Sequence, residues 1–357
     1  YMKHTLFITG GAGYVGAMLC DQFARRDDVE RVIALDKEKS SDLLDDHPNK
    51  DKIVYIHANM SDNTWQEKVR SYNPDVVVHT AWQIRTMYGK SKIQWKWNVI
   101  GSNKIFDLAF TLPSVKKLVY FSTVSSYGAF KENKLDHLIK ESQPFVETDY
   151  LYAEEKRFAE ENLEERYAIA KANGNPIQVA VVRPAAITGP RGRFGRVRFG
   201  LQAALSGQLK GRGSFVYNLI SLMVSFMPVT KGWLRQFIHE DDVCDIVALF
   251  TFSPSLKSDY DVFNICPPGK SVLGKDMAHA VKKKTIPLHP QMIRIAFFVM
   301  WHLFRGRVPT STGGWKFYSY PVAVDGSKLT DVYGFKYHWE SKEAFIRNEG
   351  RYKVDMA

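Results

Sequence analysis

Cysteine is scarce in this sequence, where Cys20, Cys244 and Cys266 are the three thiols of a 357-residue chain. Three cysteines so far apart predict neither a disulfide framework nor a zinc cluster, and this usage favours a reducing compartment. The strand-like start at Lys3 leaves no room for a signal peptide, so we expect a cytoplasmic protein. The polar cluster at 239–242 predicts no metal site, because four consecutive side chains point in different directions.

Long apolar runs are also absent. Residues 214–230 carry no charge, but Asn218 and Pro228 make them a poor membrane span, and residues 295–304 are too short to cross a bilayer. The plain interpretation of both segments is packing helices of a smaller domain. The second interpretation is an apolar substrate or a peripheral membrane contact, because Phe, Met and Trp between flanking arginines suit a membrane interface.

Acidic residues are outnumbered, with 38 Asp and Glu against 49 Lys and Arg, which gives a net charge of +11. The basic residues are spread along the chain without a run of five like charges, so no nucleic-acid partner is expected. A small anionic ligand fits the excess of positive charge as well. The basic loops at 191–196 and 210–213 are explained equally by phosphate contacts and by solvated connections.

A glycine-rich turn between a strand and a helix opens the chain. An apolar, β-branched run at 3–9 leads into three glycines spaced three residues apart, followed by a helical pattern. Glycines at this spacing allow a tight turn and a close approach of the backbone to a pyrophosphate at the positive end of the helix. The candidate cofactor-binding residues of this turn are Gly10, Gly13, Tyr14, Val15 and Gly16.

Asp36 ends the next apolar run, at 36 − 16 = 20 residues past Gly16. An acid at this place accepts hydrogen bonds from both adenosine ribose hydroxyls and repels a 2′-phosphate. NAD is therefore predicted in preference to NADP, although Lys37 beside the acid weakens the preference.

Further apolar runs at 53–58, 75–79, 117–122 and 177–183 alternate with charged, helix-compatible segments. This alternation predicts an α/β fold with a Rossmann-type, doubly wound parallel sheet, which binds ligands at the carboxyl ends of its strands. Asn98 is expected to open a helical stretch. The further candidate cofactor-binding residues are Asn59, Met60, Thr80, Ala81 and Asn98.

Tyr152 and Lys156 lie four residues apart in a helical segment and so project from one face. A phenol with its usual pKa near ~10 is a poor base at neutral pH unless a nearby cation favours the phenolate. Lys156 is a candidate for that cation, and Thr123 is a candidate to hold the substrate oxygen whose proton Tyr152 moves. Taken alone, the pair is better explained as a surface tyrosine and lysine.

The motifs together resemble the extended short-chain dehydrogenase/reductase family, often called NAD-dependent epimerase/dehydratases. They follow the family's order over nearly the whole chain, and they include Thr9 to Gly16, Asp36, Val78 to Ala81, Asn98, Phe121 to Thr123, Tyr127-Gly128, Tyr152 with Lys156, and Arg183-Pro184. The resemblance implies that Tyr152 is the catalytic acid/base and that Lys156 binds the nicotinamide ribose and lowers the tyrosine pKa. It gives Thr123 the role of the assisting hydroxyl.

Three positions bear on the substrate. Val124 and Ser125 stand where dehydratases of the family carry an Asp-Glu pair, so a dehydratase is disfavoured. Ala186 stands where sugar-nucleotide epimerases commonly carry an asparagine, and this counts against a nucleotide-sugar. Arg235 points the other way, because it matches an arginine that contacts the substrate diphosphate. Ala186 and Arg235 are the candidate substrate-binding residues.

The predicted function is that of an NAD-dependent UDP-sugar 4-epimerase, which works by transient hydride transfer through a 4-keto intermediate. The alternative is an NAD-dependent dehydrogenase or reductase of an apolar secondary alcohol, as in hydroxysteroid dehydrogenases and dihydroflavonol reductases. A non-catalytic NAD-sensing or RNA-binding relative is disfavoured, because Thr123, Tyr152 and Lys156 are all kept.

We expect an NAD-binding domain at 1–184, with further elements at about 237–266. A smaller, interleaved C-terminal substrate-binding lobe is expected at 185–236 and 267–357. The resemblance alone implies a homodimer.

Overall fold

The computed structural model describes residues 3–134, 136–192, 226–280 and 284–353. Its strands, numbered in chain order, are β1 His4–Thr9, β2 Val29–Asp36, β3 Ile53–His57, β4 Val76–His79, β5 Lys117–Phe121, β6 Gln178–Pro184, β7 Ala186–Thr188, β8 Phe226–Val229, β9 Leu234–Arg235, β10 Phe237–His239, β11 Tyr260–Ile265, β12 Val272–Leu273 and β13 Lys284–Pro287.

The helices connect these strands in the alternation that the sequence predicts. They are α1 Tyr14–Ala24, α2 Asp42–Asp45, α3 Gln66–Ser71, α4 Ser91–Trp95, α5 Gly101–Thr111, α6 Leu151–Ala172, α7 Glu240–Phe252, α8 Gly274–Ala280, α9 Pro290–Leu303, α10 Ser327–Tyr333 and α11 Ser341–Ile346. Short 3₁₀ turns occupy Lys50–Lys52, Val124–Tyr127 and Gly314–Tyr318.

A seven-stranded sheet has the order β11-β6-β5-β4-β1-β2-β3. From β6 to β3 every neighbouring pair is parallel. All residues of β4 and β5 are buried, as expected for strands covered by helices on both faces. The predicted doubly wound parallel sheet is confirmed.

The expectation that Asn98 opens a helix is wrong. Helical structure begins at Ser91, and Asn98 lies inside a π-helical turn, Lys96–Ile100, between α4 and α5. A π-turn inserts one extra residue per turn, and such turns are frequent at functional sites. The sequence misses it because the polar residues of α4 resemble a loop.

Two compact units divide the chain. The first unit comprises residues 1–122, 155–183 and 244–263, and the second comprises 123–154, 184–243 and 264–357. The core of the first unit surrounds the sheet, with Phe7, Ile33, Trp65, Leu118 and Val181 among its buried members. The predicted assignment of a substrate-binding lobe to 185–236 and 267–357 stays a prediction.

The second unit has its own core, which contains Trp233, Phe237, Met277 and Phe345. Three strand pairs accompany it: β7 with β10 and β8 with β13 are parallel, and β9 with β12 is antiparallel. In the described ranges, no helix is long and apolar enough to cross a membrane.

Candidate active site

The glycine turn of the first unit is closed so tightly that side chains are excluded. The Gly13 amide donates to the Gly10 carbonyl at 2.7 Å, and Gly10 has a left-handed φ of 77°. A Cβ on Gly16 would lie 2.1 Å from that same oxygen. Tyr14 and Val15 begin α1, whose first residue has no side-chain cap. The uncapped amides of a helix N-terminus suit a pyrophosphate, so the turn fits a dinucleotide.

Asp36, the last residue of β2, is held against this turn. Its carboxylate accepts from the Ala12 amide and from the Glu38 amide, both at 3.0 Å. Two oxygens fixed in this way still have lone pairs for ribose hydroxyls. The neighbouring Lys37 is paired with Glu38, so its charge is partly compensated.

The loops after β3 and β4 contribute the next candidates. Asn59 makes a local turn, in which its side-chain oxygen accepts from the Ser61 amide at 2.9 Å. Met60 is buried and packs against Gly101, where a Cβ would come within 2.6 Å of its Cγ. The Thr80 hydroxyl donates to the Thr9 carbonyl at 2.7 Å, and the Ala81 amide donates to the Thr9 hydroxyl at 3.2 Å. Thr80 and Ala81 therefore lie directly beside the glycine turn.

A buried histidine fixes the end of β4. His79 Nδ1 lies 2.6 Å from the Thr9 hydroxyl and Nε2 lies 2.8 Å from the Ser102 hydroxyl. The Ser102 hydroxyl donates to the Asn98 carbonyl, so it accepts from Nε2–H, and Nδ1 accepts from Thr9. Burial, reinforced by the Lys156 charge, holds the pKa of His79 well below its usual range. The imidazole is therefore neutral and positions the glycine turn.

The Asn98 amide is fully engaged inside the first unit. It accepts from the Gln83 amide at 2.8 Å and donates to the Gln83 carbonyl at 3.0 Å and to the Glu155 carboxylate at 2.6 Å. Gln94 also donates to Glu155, at 3.1 Å. Asn98 thus positions the segment after β4 and the helix that carries Lys156. A direct contact of Asn98 with the cofactor stays a prediction.

Lys156 is buried, with 3% of its surface exposed. Its ammonium donates to the Phe121 carbonyl and lies 3.8 Å from the ring centre of Trp82. Burial holds the pKa of Lys156 well below its usual range, and the carboxylates of Glu160 and Glu155 oppose that shift. The carbonyl, the aromatic face and the nearby acids therefore offset only part of the cost of burying the cation.

Trp82 is a site residue that the sequence analysis missed. Its indole N–H is buried and has no hydrogen-bond partner among the described residues. A tryptophan that follows a strand carries no chemistry by itself, so the sequence signal was only its place at the carboxyl end of β4. The contact with Lys156 joins residues 74 positions apart, 156 − 82, and only the fold reveals it.

Thr123 and Tyr152 meet in the second unit. The Thr123 hydroxyl accepts from the Ser125 amide at 3.2 Å and caps the 3₁₀ turn that follows β5. Burial raises the pKa of the Tyr152 phenol, and its hydrogen bond with Thr123 lowers it. Tyr152 and Lys156 are one turn apart on α6, which passes from the second unit into the first after Glu154. The pairing of Thr123 with Tyr152 is what a shared substrate oxygen requires.

Tyr152 packs against one aromatic side chain of the second unit. Its ring centre lies 5.7 Å from that of Tyr150, which lies 5.0 Å from that of Phe317. Burial raises the pKa of Tyr150 beyond any physiological pH. Tyr150 is therefore a neutral, apolar neighbour of Tyr152 and does not compete with it for protons.

The two substrate candidates lie on separate strand pairs of the second unit. Ala186 begins β7 and pairs with Phe237 of β10. Arg235 ends β9, and its guanidinium lies 4.9 Å from the ring centre of Tyr318. Arg235 is half-buried, and its guanidinium packs against the ring of Tyr318.

Three sequence predictions concern residues outside the described ranges. They are the basic loop at 210–213, most of the loop at 191–196, and residues 214–225 of the apolar segment 214–230. Within the ranges that the structure describes, no group of His, Cys, Asp and Glu could hold a metal ion. In the polar cluster at 239–242, His239 ends β10 and the three acids form the first turn of α7.

A model of the NAD dependent epimerase/dehydratase family matches residues 6–266. The chain belongs to this family and is an NAD-dependent enzyme of the extended short-chain dehydrogenase/reductase type. NAD is its cofactor, and the glycine turn with Asp36 fits that molecule. The predictions of family, enzyme class and cofactor are confirmed.

Relatives named for different substrates match the chain. The putative UDP-arabinose 4-epimerase 4 of Arabidopsis thaliana is 27% identical over 303 residues, 80% of this chain and 65% of the relative. The 3 beta-hydroxysteroid dehydrogenase/Delta 5-->4-isomerase of Vaccinia virus (strain Western Reserve) is 24% identical over 277 residues, 72% of this chain and 74% of the relative. The decarboxylating sterol-4-alpha-carboxylate 3-dehydrogenase of Candida albicans is 31% identical over 197 residues, 53% of this chain and 52% of the relative. The UDP-glucose 4-epimerase of Thermotoga maritima, solved with UDP-glucose, has a TM-score of 0.67 at 19% identity and covers 96% of both chains. This last likeness concerns the fold alone.

Proposed function

We propose that this enzyme is an NAD-dependent dehydrogenase of an apolar secondary alcohol of the steroid or sterol type. This reverses the order of the two functions that the sequence favours. Two of the relatives that share sequence with the chain are named for the oxidation of steroid or sterol alcohols. The epimerase likeness includes a curated relative that is 27% identical over 80% of this chain. The comparisons therefore do not rank the two functions, and the ranking rests on the surroundings of Tyr152.

The observation that carries the proposal is the apolar surroundings of Tyr152. The Tyr150 ring lies beside that of Tyr152, and the Phe317 ring packs against Tyr150. Ala186 offers a methyl group in the place of an amide. A fused-ring alcohol buries large apolar area against such aromatic rings.

The chemistry follows from the side chains. NAD, when bound, supplies the hydride acceptor. In the proposed reaction the hydroxyl proton would pass to Tyr152, while that acceptor would take up the hydride of the carbinol C–H bond. Thr123 holds the same oxygen while the carbonyl forms. Lys156, one turn along α6, would favour the ionised phenol in its protonated form. The products are a ketone, NADH and a proton.

The test is stoichiometry. Purified enzyme is incubated with NAD and a 3β-hydroxysteroid, and NADH is followed by absorbance while the ketosteroid is quantified by chromatography. We expect equal amounts of both products. An enzyme that interconverts UDP-glucose and UDP-galactose without accumulating NADH would contradict the proposal.

A nucleotide-sugar 4-epimerase is the second candidate, and Arg235 is the residue that favours it. A guanidinium is well shaped for a diphosphate. Calorimetric titration of the NAD-loaded enzyme with UDP decides the matter: saturable binding that Arg235→Ala weakens supports this candidate. A homodimer and a cytoplasmic location remain predictions under either function.

A further inference from the structure

Helix α9 is apolar on both sides. Its inner side carries the buried Ile293 and Trp301, and Phe297, whose ring centre lies 5.3 Å from that of Tyr318. Its outer side is exposed to solvent, with Ile295 at 63%, Phe298 at 65% and Leu303 at 70% of full exposure; Met292 and Val299 are also more than half exposed. We call these five residues, Met292, Ile295, Phe298, Val299 and Leu303, the outer stripe.

The outer stripe is a continuous surface. Positions 292, 295, 299 and 303 recur every three or four residues, which places them on one face of a helix. Scattered exposed apolar residues are normal on any protein, but several large ones in one short helix form a contiguous patch, and such patches mark interaction sites. The inner side already packs the helix into its unit, so the outer stripe is not needed for folding.

The chain around α9 carries charge of one sign. Residues 277–324 contain no Asp or Glu, but they contain Lys282, Lys283, Lys284, Arg294, Arg305, Arg307 and Lys316. Lys316 is paired with Glu147 and Asp149. Lys284, Arg294, Arg305 and Arg307 are exposed, and Arg305 and Arg307 directly follow the last turn of the helix. The surface beside the outer stripe is therefore cationic.

We propose that α9 docks the enzyme on a lipid bilayer that contains anionic head groups. The outer stripe enters the boundary between head groups and acyl chains, and the exposed arginines and Lys284 contact the head-group phosphates. A helix of 14 residues is about 21 Å long, shorter than the roughly 30 Å hydrocarbon core, so it lies in the interface plane.

A second copy of the chain is the weaker alternative. A symmetric contact through the outer stripe brings Arg294, Arg305 and Arg307 of both copies together, and the 277–324 segment offers no acid to compensate them. An anionic lipid surface compensates them directly. The docking proposal does not rest on which alcohol or sugar is the substrate.

The first experiment is vesicle sedimentation of the full-length, NAD-loaded enzyme. Vesicles of phosphatidylcholine with phosphatidylserine are compared with phosphatidylcholine alone, at low and high salt. We expect binding to the anionic vesicles that high salt weakens. The double variant Phe298→Glu/Leu303→Glu should lose about tenfold or more of this affinity, and Arg305→Glu/Arg307→Glu should lose the preference for anionic lipid. Val332→Glu, an exposed apolar position of α10 in the same unit, is the matched control.

A fluorescence measurement keeps the test independent of the glutamate variants. Cys20, Cys244 and Cys266 are buried, so an environment-sensitive dye attached at Leu303→Cys reports on one place. Its emission should shift to the blue on anionic vesicles, and the same dye at Val332→Cys should not respond.

Three results would overturn the proposal. One is a wild-type enzyme that binds neither type of vesicle. Another is equal vesicle binding by the wild type and by a Phe298→Glu/Leu303→Glu variant that keeps its NAD affinity and melting temperature. The third is a change of oligomeric state in that variant, measured by light scattering, which would assign the outer stripe to a second copy.

Discussion

At the scale of single residues, we propose different roles for Tyr152 and its neighbour Tyr150. We propose Tyr152 as the proton carrier, because it combines a titratable hydroxyl with a hydrogen bond to Thr123. Tyr150, its aromatic neighbour, is kept neutral by burial. The different roles of these two tyrosines follow from their surroundings, so the sequence alone could not assign them.

Replacing Tyr152 with Phe removes the proton carrier and keeps the ring. We expect turnover to fall by about 10²–10⁴-fold, the usual worth of a positioned acid/base, while the Kd for NAD stays nearly unchanged. Steady-state kinetics and calorimetry measure the two quantities. Tyr167→Phe on the same helix is the control, and unchanged activity in the Tyr152 variant would refute the mechanism.

Replacing Asp36 with Ala should weaken NAD binding by about 10- to 150-fold, because charge-assisted hydrogen bonds contribute roughly 1.5–3 kcal/mol. The preference for NAD over NADP should narrow as the repulsion of the 2′-phosphate is lost. Calorimetric titration with both dinucleotides tests this against Asp42→Ala, an exposed acid of α2. An unchanged ratio of the two affinities would remove Asp36 from the cofactor site.

Lys156 makes stability depend on pH in a predictable direction. Burial lowers its folded-state pKa, whereas the unfolded chain keeps a lysine pKa of about 10.4. Between the folded and unfolded pKa values the unfolded state binds more protons, so the free energy of unfolding rises with pH through that window. Lys156→Met lacks this rise. The urea midpoint of the wild type should therefore rise relative to that of Lys156→Met as pH increases. The midpoint of Lys171→Met should change with pH as the wild type's does.

At the scale of elements, most of the first unit could be predicted from the sequence. The strands are buried on both faces and so appear as apolar runs, and β2 through β6 begin or end within about two residues of the predicted limits. The π-turn at Asn98 was not predictable, because its geometry is held by Gln83 and by Glu155, 57 residues away. Trp82 was missed for the same reason, since its partner is distant in sequence.

The end of α7 offers a prediction about one element. The buried Lys117 ammonium donates to the carbonyls of Thr251 and Ser253 at the carboxyl end of this helix, where backbone acceptors lack helical partners. Lys117→Met leaves these buried carbonyls unsatisfied and should destabilise the protein by about 1–3 kcal/mol. Chemical denaturation measures this loss. The exposed neighbour Lys116→Met should change little, and an equal effect of the two would show that no cap is lost.

At the scale of the whole molecule, neither unit is a continuous stretch of chain. The first unit needs three separate segments, and its edge strand β11 comes from the third of them. Composition could predict that a second, apolar part exists, but it could not reveal that α9 is exposed on one side only. That distinction depends on which face the rest of the second unit covers.

Interleaving predicts the behaviour of a fragment. The stretch 1–184 holds β1 to β6 but lacks β11 and α7, and with them the contacts of Phe250 with Phe263 and of His4 with Phe252. Expressed alone, it should aggregate or bind NAD far more weakly than the full chain, because β6 becomes an open edge. Solubility and NAD titration of the fragment test this. A soluble fragment with full NAD affinity would show that 1–184 is a self-sufficient domain.

The position of β11 has a consequence for synthesis on the ribosome. When β6 has emerged, 265 − 184 = 81 further residues must be translated before β11 is complete. At about 5–20 residues per second, roughly 4–16 s pass before β11 is available. During that time the backbone groups on the β11 side of β6 have no strand partner. Chaperone demand during translation should therefore peak in this interval, well before the last residue is added.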